Sequence, residues 1–449
     1  MKSYVPHTEN ERQEMLKAIG VNSVDELYLD VPFSLLLKQR LNLCEGMSEL
    51  EIRKHFQELA KKNNTSLKIF RGAGAYNHYI PSAVLELSMR SEFYTAYTPY
   101  QAEMSQGMLQ AIFEYQTFIC SLTGQNVSNA SVYDGATAAA EAMSMMTSAT
   151  RKKKLLLSEG LHPETISTVK TYAHAIGTEV VIVPLNAQGT TDIEKIKANA
   201  DGFCGLIAQC PNFFGVIEDM QALSDTVHEL KGLFTAYVNP ISLGLLKRPA
   251  DYGADIAIGD GQPLGIPMSF GGPYFGFMAC TTKLIRNLPG RIAGQTEDKD
   301  GNRAFVLTLQ AREQHIRREK ASSNICSNQM LCAISASIYM AQMGKHGIKE
   351  VATQSIQKAH YLADGLTQIK GFKLRYASPY FHEFVIDSDY DSEKLNNALK
   401  AKGFMGGLPL NRVLEGDKGM LWCVTELNSR QDIDELLLAV EAAVKEGLV

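Results

Sequence analysis

Three segments of the sequence concentrate side chains that carry protons or bind anions. The first is Phe93-Tyr94-Thr95-Ala96-Tyr97-Thr98-Pro99-Tyr100-Gln101-Ala102-Glu103. Its three tyrosines and two threonines within eight residues, broken by Pro99, cannot all face a core, since each buried phenol needs a hydrogen-bond partner. Such a loop either packs against a neighbouring domain or lines a pocket. The second runs from Asp260 to Gly276 and holds five glycines and three prolines in seventeen residues. Glycines there permit positive φ or close backbone approach. The stretch is too long for a turn and follows a predicted strand, and ligands usually sit at strand ends in parallel sheets. A structural crossover is the alternative. The third is Arg317-Arg318-Glu319-Lys320-Ala321-Ser322-Ser323-Asn324-Ile325-Cys326. Cations followed by hydroxyls and an amide suit a phosphate or carboxylate, and a solvated turn capping the next helix uses the same residues. Gly72 and Gly74 are too few for a dinucleotide fingerprint, and no phosphate-loop, Gly-x-Ser-x-Gly or metal-binding helix motif occurs.

The elements that must position these segments read as follows. The first 65 residues carry three capping-box patterns, Thr8-x-x-Glu11, Ser23-x-x-Glu26 and Ser48-x-x-Glu51, in which a hydroxyl takes the N3 amide and the glutamate reaches back to the cap. Gly20 and Asn63-Asn64 are fitting stops. Leu50, Phe56 and Leu59 fall mostly on one side of the third helix, as in an arm laid over a larger body or a partner. Between about 70 and 320, short apolar runs alternate with helical patterns. Leu155-Leu156-Leu157 is a short apolar run, and Val180-Val181-Ile182-Val183 is β-branched and continuous, as in a strand buried on both faces. Further strands are expected at 205–208, 234–238 and 255–258, with helices at 162–176, 191–200 and 219–231. That rhythm predicts a mostly parallel sheet with helices on both faces. From 328 two long helices (328–343 and 347–370), strands at 372–377, 383–387 and 420–425, and helices at 391–402 and 429–446 predict a compact α+β unit.

The length of 449 residues accommodates two or three folding units, at ~150 residues each. The expected division is an N-terminal helical arm over 1–69, a large α/β domain over 70–327 and a small α+β domain over 328–449. A net charge of −5 argues against nucleic acid or an anionic membrane as the main partner. No run approaches ~18 consecutive apolar residues, and the charged start has no apolar signal core. Both point to a cytoplasmic protein. Cysteines 44, 120, 204, 210, 280, 326, 332 and 423 form no zinc-type cluster; they are expected to be reduced thiols buried in apolar segments, with a redox switch as the alternative.

The motifs Tyr97-Thr98-Pro99-Tyr100-Gln101-Ala102-Glu103, Tyr133-Asp134-Gly135-Ala136-Thr137-Ala138, the 259–276 loop and Arg318-Glu319-Lys320-Ala321-Ser322-Ser323-Asn324-Ile325-Cys326 resemble the N-terminal half of glycine decarboxylase, the P-protein of the glycine cleavage system. The likeness runs nearly end to end and matches the first subunit of the split bacterial form. It implies a fold-type-I pyridoxal-phosphate (PLP) transferase-like architecture, with a large mostly parallel seven-stranded sheet domain and a smaller C-terminal domain. It also implies the family reaction, glycine dehydrogenase (aminomethyl-transferring, decarboxylating): glycine loses CO2 and the aminomethyl group passes to the lipoyl arm of H-protein, with PLP as electron sink.

Laid on the cofactor-bearing half of the family, this chain lacks three groups. Gln262 stands at the expected Schiff-base lysine, and an amide is no nucleophile. Thr235 stands where a carboxylate would hold the pyridine nitrogen. Asp134 precedes the Gly135-Ala136-Thr137 turn, where it would repel a phosphate. Lys247 and Lys283 lie outside the loop. The resemblance therefore implies no catalytic residue and no covalent PLP on this chain, and a PLP-bearing second subunit in a heterodimer or α2β2 assembly. Carried over to matching positions, Tyr97, Tyr100, Gln101, Arg318, Ser322, Ser323 and Asn324 are the candidates for a shared interface pocket. The tyrosines would border the path of glycine and the lipoyl arm, the 322–324 turn would donate to the phosphate, and Arg318 would attract the substrate carboxylate or fix the loop. No metal is expected. A self-sufficient PLP decarboxylase or aminotransferase, and a non-catalytic scaffold or regulator, are the alternatives.

Overall fold

In the computed structural model, residues 7–37, 39, 41–321 and 323–448 are described. The chain divides into two compact units at Thr65/Ser66. In the first, α1 (Glu9–Ile19) starts on a complete capping box: the Glu11 amide donates to Thr8 Oγ1 and the Glu11 carboxylate takes the Thr8 amide. It stops at Gly20, which is left-handed at φ 86°. Ser48 and Glu51 do the same for α2 (Glu49–Ala60). The middle pattern does not form a box. Val24–Tyr28 is a short 3-10 turn without a side-chain cap, and Glu26 instead accepts from the Asn22 amide at 3.2 Å. Leu50 and Phe56 of α2 remain exposed.

The second unit begins with Lys68–Ile69, which pair in parallel with Phe404–Met405. Helix α3 (Gln106–Thr123) leads to a seven-stranded sheet. In chain order come β1 (Val127–Ser128), α4 (Gly135–Thr150), β2 (Lys154–Ser158), α5 (Pro163–Ile176), β3 (Glu179–Val183), α6 (Ile193–Asn199), β4 (Gly205–Cys210), α7 (Met220–Glu229), β5 (Leu233–Val238), β6 (Ile256–Asp260) and β7 (Gly276–Cys280). The strand order is β1-β7-β6-β5-β4-β2-β3. The β3-β2-β4-β5-β6 block is parallel and β7 runs antiparallel to both neighbours. Alternate residues serve two cores. Leu155, Leu157 and Ile207 pack with α4 and α5, whereas Leu156, Leu206 and Ala208 pack with α3, α7 and the start of the next long helix. This two-sided burial explains the unbroken run Leu155-Leu156-Leu157, whereas Val180, Val181 and Ile182 of β3, an edge strand, are only half-buried and Val183 alone is buried, against the expectation of a strand buried on both faces.

A hairpin, β8 (Ile292–Glu297) and β9 (Arg303–Thr308), precedes the loop that carries Arg318. Helix α8 (Met330–Thr367) is two helices joined at Gly344, whose φ 57°, ψ −172° no helix accommodates; the expected break falls there. A four-stranded antiparallel sheet follows, from β10 (Phe372–Leu374), β11 (Glu383–Ser388), β12 (Leu408–Pro409) and β13 (Met420–Cys423) in the order β10-β11-β13-β12. Helices α9 (Ser392–Ala401) and α10 (Arg430–Lys445) cover it, with Trp422 fully buried between sheet and helices. Among the described residues, no helix is long and apolar enough to cross a membrane. The cysteines depart in part from the expectation: Cys204, Cys210, Cys280 and Cys423 are buried, but Cys44 and Cys326 are exposed.

Candidate functional site

The parallel strands deliver their C-terminal ends to one cavity, where an α/β sheet ordinarily binds its ligand. Gln209 of β4, Tyr237 and Val238 of β5, Asn239, and Asp260 of β6 form its floor. His162, Gly74, Tyr76, His382 and Glu383 wall it, together with Pro263 of the glycine-rich loop. The free space is ≈ 40 Å³, against ~300 Å³ or more for an ordinary small-molecule pocket.

The three positions expected to be degenerate sit as follows. Asp134 caps α4, its Oδ1 accepting the Thr137 amide at 2.7 Å. The Gly135 amide donates to Asp260 Oδ2 at 3.2 Å, and Asp260 Oδ1 accepts the Gln262 amide at 2.9 Å. The anion-binding N-terminus of α4 is thus engaged by two carboxylates of the chain itself. Burial, and next to it the Asp134 charge, push the Asp260 carboxyl up to about 6 against the pull of the two amides. A Cβ at Gly135 would meet the Tyr237 hydroxyl and the Asp260 amide, so only glycine fits there.

Thr235 and Gln262 do not line the cavity. Thr235 lies two residues before Tyr237 on β5, fully buried, with its hydroxyl 3.5 Å from Met146 Sδ. Tyr237, on the same face of the strand, lines the cavity floor. Its phenol bonds Thr165 and is raised far above the usual range by burial; it carries no negative charge for a pyridinium. Gln262 turns inward. Its Nε2 donates to the Tyr76 and Ile266 carbonyls at 2.9 and 2.8 Å, and its Oε1 accepts the Tyr76 amide at 2.8 Å. The loop's wall residue is Pro263, which has no amine to offer. The cavity lining holds no lysine, and the N-terminus of α4 that would cradle a phosphate is taken by Asp134 and Asp260. The residues present do not fit PLP.

Several wall residues carried no sequence signal. The Tyr76 hydroxyl donates to Glu383 Oε2 at 2.7 Å, and the Ala73 amide donates to Glu383 Oε1 at 2.6 Å. Burial pushes that carboxyl up to about 7. His162 bridges the Ala73 carbonyl (Nε2, 3.0 Å) and the Glu164 amide (Nδ1, 3.2 Å), so its proton sits on Nε2, and burial lowers its pKa. His382 is buried beside Tyr76 (ring centroids 4.6 Å) with no partner for either ring nitrogen among the described residues. Burial, then the His78 charge, hold it well below the usual histidine range. It is a neutral ring.

The other predicted residues lie apart from the cavity, on an outward rim. Tyr97 is 81 % exposed, and Gln101 and Arg318 are exposed. Tyr100 is 45 % exposed and its hydroxyl accepts from buried Arg291 Nη2 at 2.6 Å. Its ring meets His315 at 5.5 Å, so the tyrosine loop and the run into Arg318 come together there. Arg318 has φ 55° and pairs with no carboxylate among the described residues. Ser322 lies outside the described residues. Ser323 is half-buried, with Oγ accepting the Ile325 amide at 3.1 Å, and Asn324 is exposed. Tyr94 and Met104, which flank the tyrosine loop in the sequence, are exposed as well.

The model of the glycine cleavage system P-protein family matches residues 2–440. A protein of Moorella thermoacetica named probable glycine dehydrogenase (decarboxylating) subunit 1 is 51 % identical over 440 residues, covering 98 % of this chain and 99 % of that one. The protein of the same name from Desulfitobacterium hafniense is 48 % identical over 439 residues, covering 97 % and 98 %. Among solved structures, a glycine decarboxylase (P-protein) of the glycine cleavage system in inhibitor-bound form superposes with TM-score 0.90 at 40 % identity, over 98 % of this chain and 100 % of that one. Lactobacillus brevis glutamate decarboxylase shares the fold alone, with TM-score 0.69 at 12 % identity over 95 % and 97 %.

Proposed function

Because the chain belongs to the glycine cleavage system P-protein family, in the form its full-length relatives call subunit 1, we propose that it serves glycine decarboxylation as the subunit that holds no PLP. The family is PLP-dependent. In this reading the coenzyme sits on the second subunit, in a cytoplasmic heterodimer or α2β2 assembly, and PLP there takes up the electron pair left when glycine loses CO2. The aminomethyl group then passes to the lipoyl arm of H-protein.

This chain's part is to complete the second subunit's pocket. The exposed edge of Tyr97 and Tyr100 borders the path of glycine and lipoyl arm. Gln101 extends that edge. Arg318, unpaired among the described residues, offers a guanidinium to the substrate carboxylate. Ser322, Ser323 and Asn324 donate hydrogen bonds to the coenzyme phosphate. The arm, 1–69, wraps the second subunit with the open apolar side of α2, while the body divides into a large domain at 70–327 and a small one at 328–449. The observation that carries the reading is the cavity filled from within: the chain's own carboxylates and Tyr237 stand where a coenzyme would need donors and counter-charge. The test is reconstitution. The isolated chain mixed with PLP is expected to show no visible-edge absorbance of lysine-bound PLP and no glycine decarboxylation, with activity restored by the second subunit. Turnover by this chain alone would refute the proposal.

A further inference from the structure

Arg71 is a half-buried cation whose partners carry no charge. Its Nε donates to the Gly406 carbonyl at 3.1 Å and its Nη2 to the Gly407 carbonyl at 2.9 Å. Nη1 has no partner, and no carboxylate pairs with the guanidinium, among the described residues. A guanidinium carries five N–H groups in a rigid fork, so three of them are unused. Charges withdrawn from water are ordinarily paired. Here burial lowers the pKa, and the Arg412 charge lowers it further against the weaker pull of Glu393. Glu393 is already engaged: Arg412 Nε and Nη2 donate to its Oε1 and Oε2 at 2.6 Å each. Nor is a cation needed to hold the 406–407 turn, since the Gly407 carbonyl also accepts Asn396 Nδ2 at 3.0 Å.

A cleft with ≈ 180 Å³ of free space opens beside Arg71. Helix α9 lines it with Glu393, Asn396 and Lys400, residues three and four apart that share one helix face. Arg71 and Arg412 line it too, and Leu67, Phe404 and Met405 supply apolar wall. Lys400 is exposed and pairs with nothing among the described residues. Asn396 Oδ1, a buried acceptor without a partner among the described residues, offers an anion nothing. Three cations therefore meet one carboxylate, and that carboxylate is committed. None of these residues lines the cavity at the strand ends or belongs to the rim. We propose that this cleft is a binding site for the oxyanion of a small organic acid or phosphate ester. The unused N–H groups of Arg71 take its oxygens, as a guanidinium suits both carboxylate and phosphate. Lys400 adds charge from α9, and an apolar part of the guest lies against Leu67 and Met405.

The experiment titrates inorganic phosphate, and separately butyrate, into the isolated full chain by calorimetry at about pH 7.5 and low ionic strength, where charge attraction is least screened. Saturable binding with Kd on the order of 1 mM is expected, weakening as chloride is raised. Arg71→Met, which keeps the apolar stem, should bind at least about tenfold more weakly. That change also strips a donor from Gly406, so the exposed Lys400→Gln is the second variant, with a loss of about threefold. Glu393→Gln should bind about threefold more tightly, because it removes the carboxylate and frees Arg412, a gain that a purely structural Arg71 does not produce. Tighter butyrate assigns the site to a carboxylate with an apolar chain, and tighter phosphate to a phosphate ester; either order supports the cleft. Absence of saturable binding of both probes up to about 50 mM, or wild-type affinity in both Arg71→Met and Lys400→Gln, overturns the inference.

Discussion

The cavity at the strand ends and the rim beside it are opposites. Around the cavity most polar groups are answered from within: Gln262 by the backbone of residues 76 and 266, Asp134 and Asp260 by helix and loop amides, Glu383 by Tyr76 and Ala73; the exceptions are both ring nitrogens of His382 and Asn239 Nδ2, which have no partner among the described residues. On the rim, Tyr97, Arg318 and Asn324 are exposed and have no hydrogen-bond or ion-pair partner among the described residues. A cavity answered this far leaves little polar chemistry to offer a ligand, whereas an unanswered surface is complete only when something covers it. The contrast supports the proposal that this chain works at its edge and not at the site its fold would ordinarily use.

The sharpest attempt to break the contrast is to put the amine back. Gln262→Lys removes three hydrogen bonds and buries a cation, and should cost about 3–5 kcal/mol, read from urea unfolding of the full chain. Neither it nor Pro263→Lys should give a borohydride-reducible PLP adduct; a coloured adduct in either would mean that the cavity is still open. Next in size is the response to pH. Asp260 and Glu383 are carboxyls raised to about 6 and about 7. Their folded forms hold protons the unfolded chain has already lost. Their stabilisation is therefore complete below about pH 4 and fades as pH rises through 6 to 7. Unfolding midpoints at about pH 5 and about pH 8 should differ by roughly 2–4 kcal/mol, with Glu383→Gln flattening the upper part; equal midpoints would show that these carboxyls are not buried as described.

At the rim, the same substitutions should leave stability alone and act only in the assembly. Arg318→Ala and Asn324→Ala are expected to lower kcat/KM of the reconstituted enzyme by about 10- to 100-fold, while the isolated chain stays within about 0.5 kcal/mol of wild type. The smallest effect should be that of Tyr97→Ala, a several-fold loss of turnover with no change in unfolding. A rim substitution that destabilises the isolated chain while sparing turnover would reverse the assignment of roles.

Much of the architecture was legible because it is written locally. Leu155-Leu156-Leu157 must be buried on both faces, Gly344 interrupts a helical pattern, and Thr8 and Ser48 form their caps within four residues. The Ser23 pattern failed because the turn behind it is too short to present an N3 amide, and Asn22 took the glutamate. The cavity was legible only in outline. Thr235 and Tyr237 share one face of a strand, so alternation cannot tell which of them lines the cavity, and the glycine-rich loop has no period from which the inward turn of Gln262 could be read. Tyr76 and Glu383 meet across 307 residues of sequence, a distance that composition and spacing do not bridge.

The two aspartates at the head of α4 have a consequence for supply. A protein that kept an open cradle there would soak up coenzyme without using it, in competition with the subunit that needs it. On the proposed division of labour, with the cradle closed by Asp134 and Asp260, vitamin B6 goes to the other subunit's seat, and a cell making both polypeptides in equal number furnishes half as many coenzyme molecules as chains.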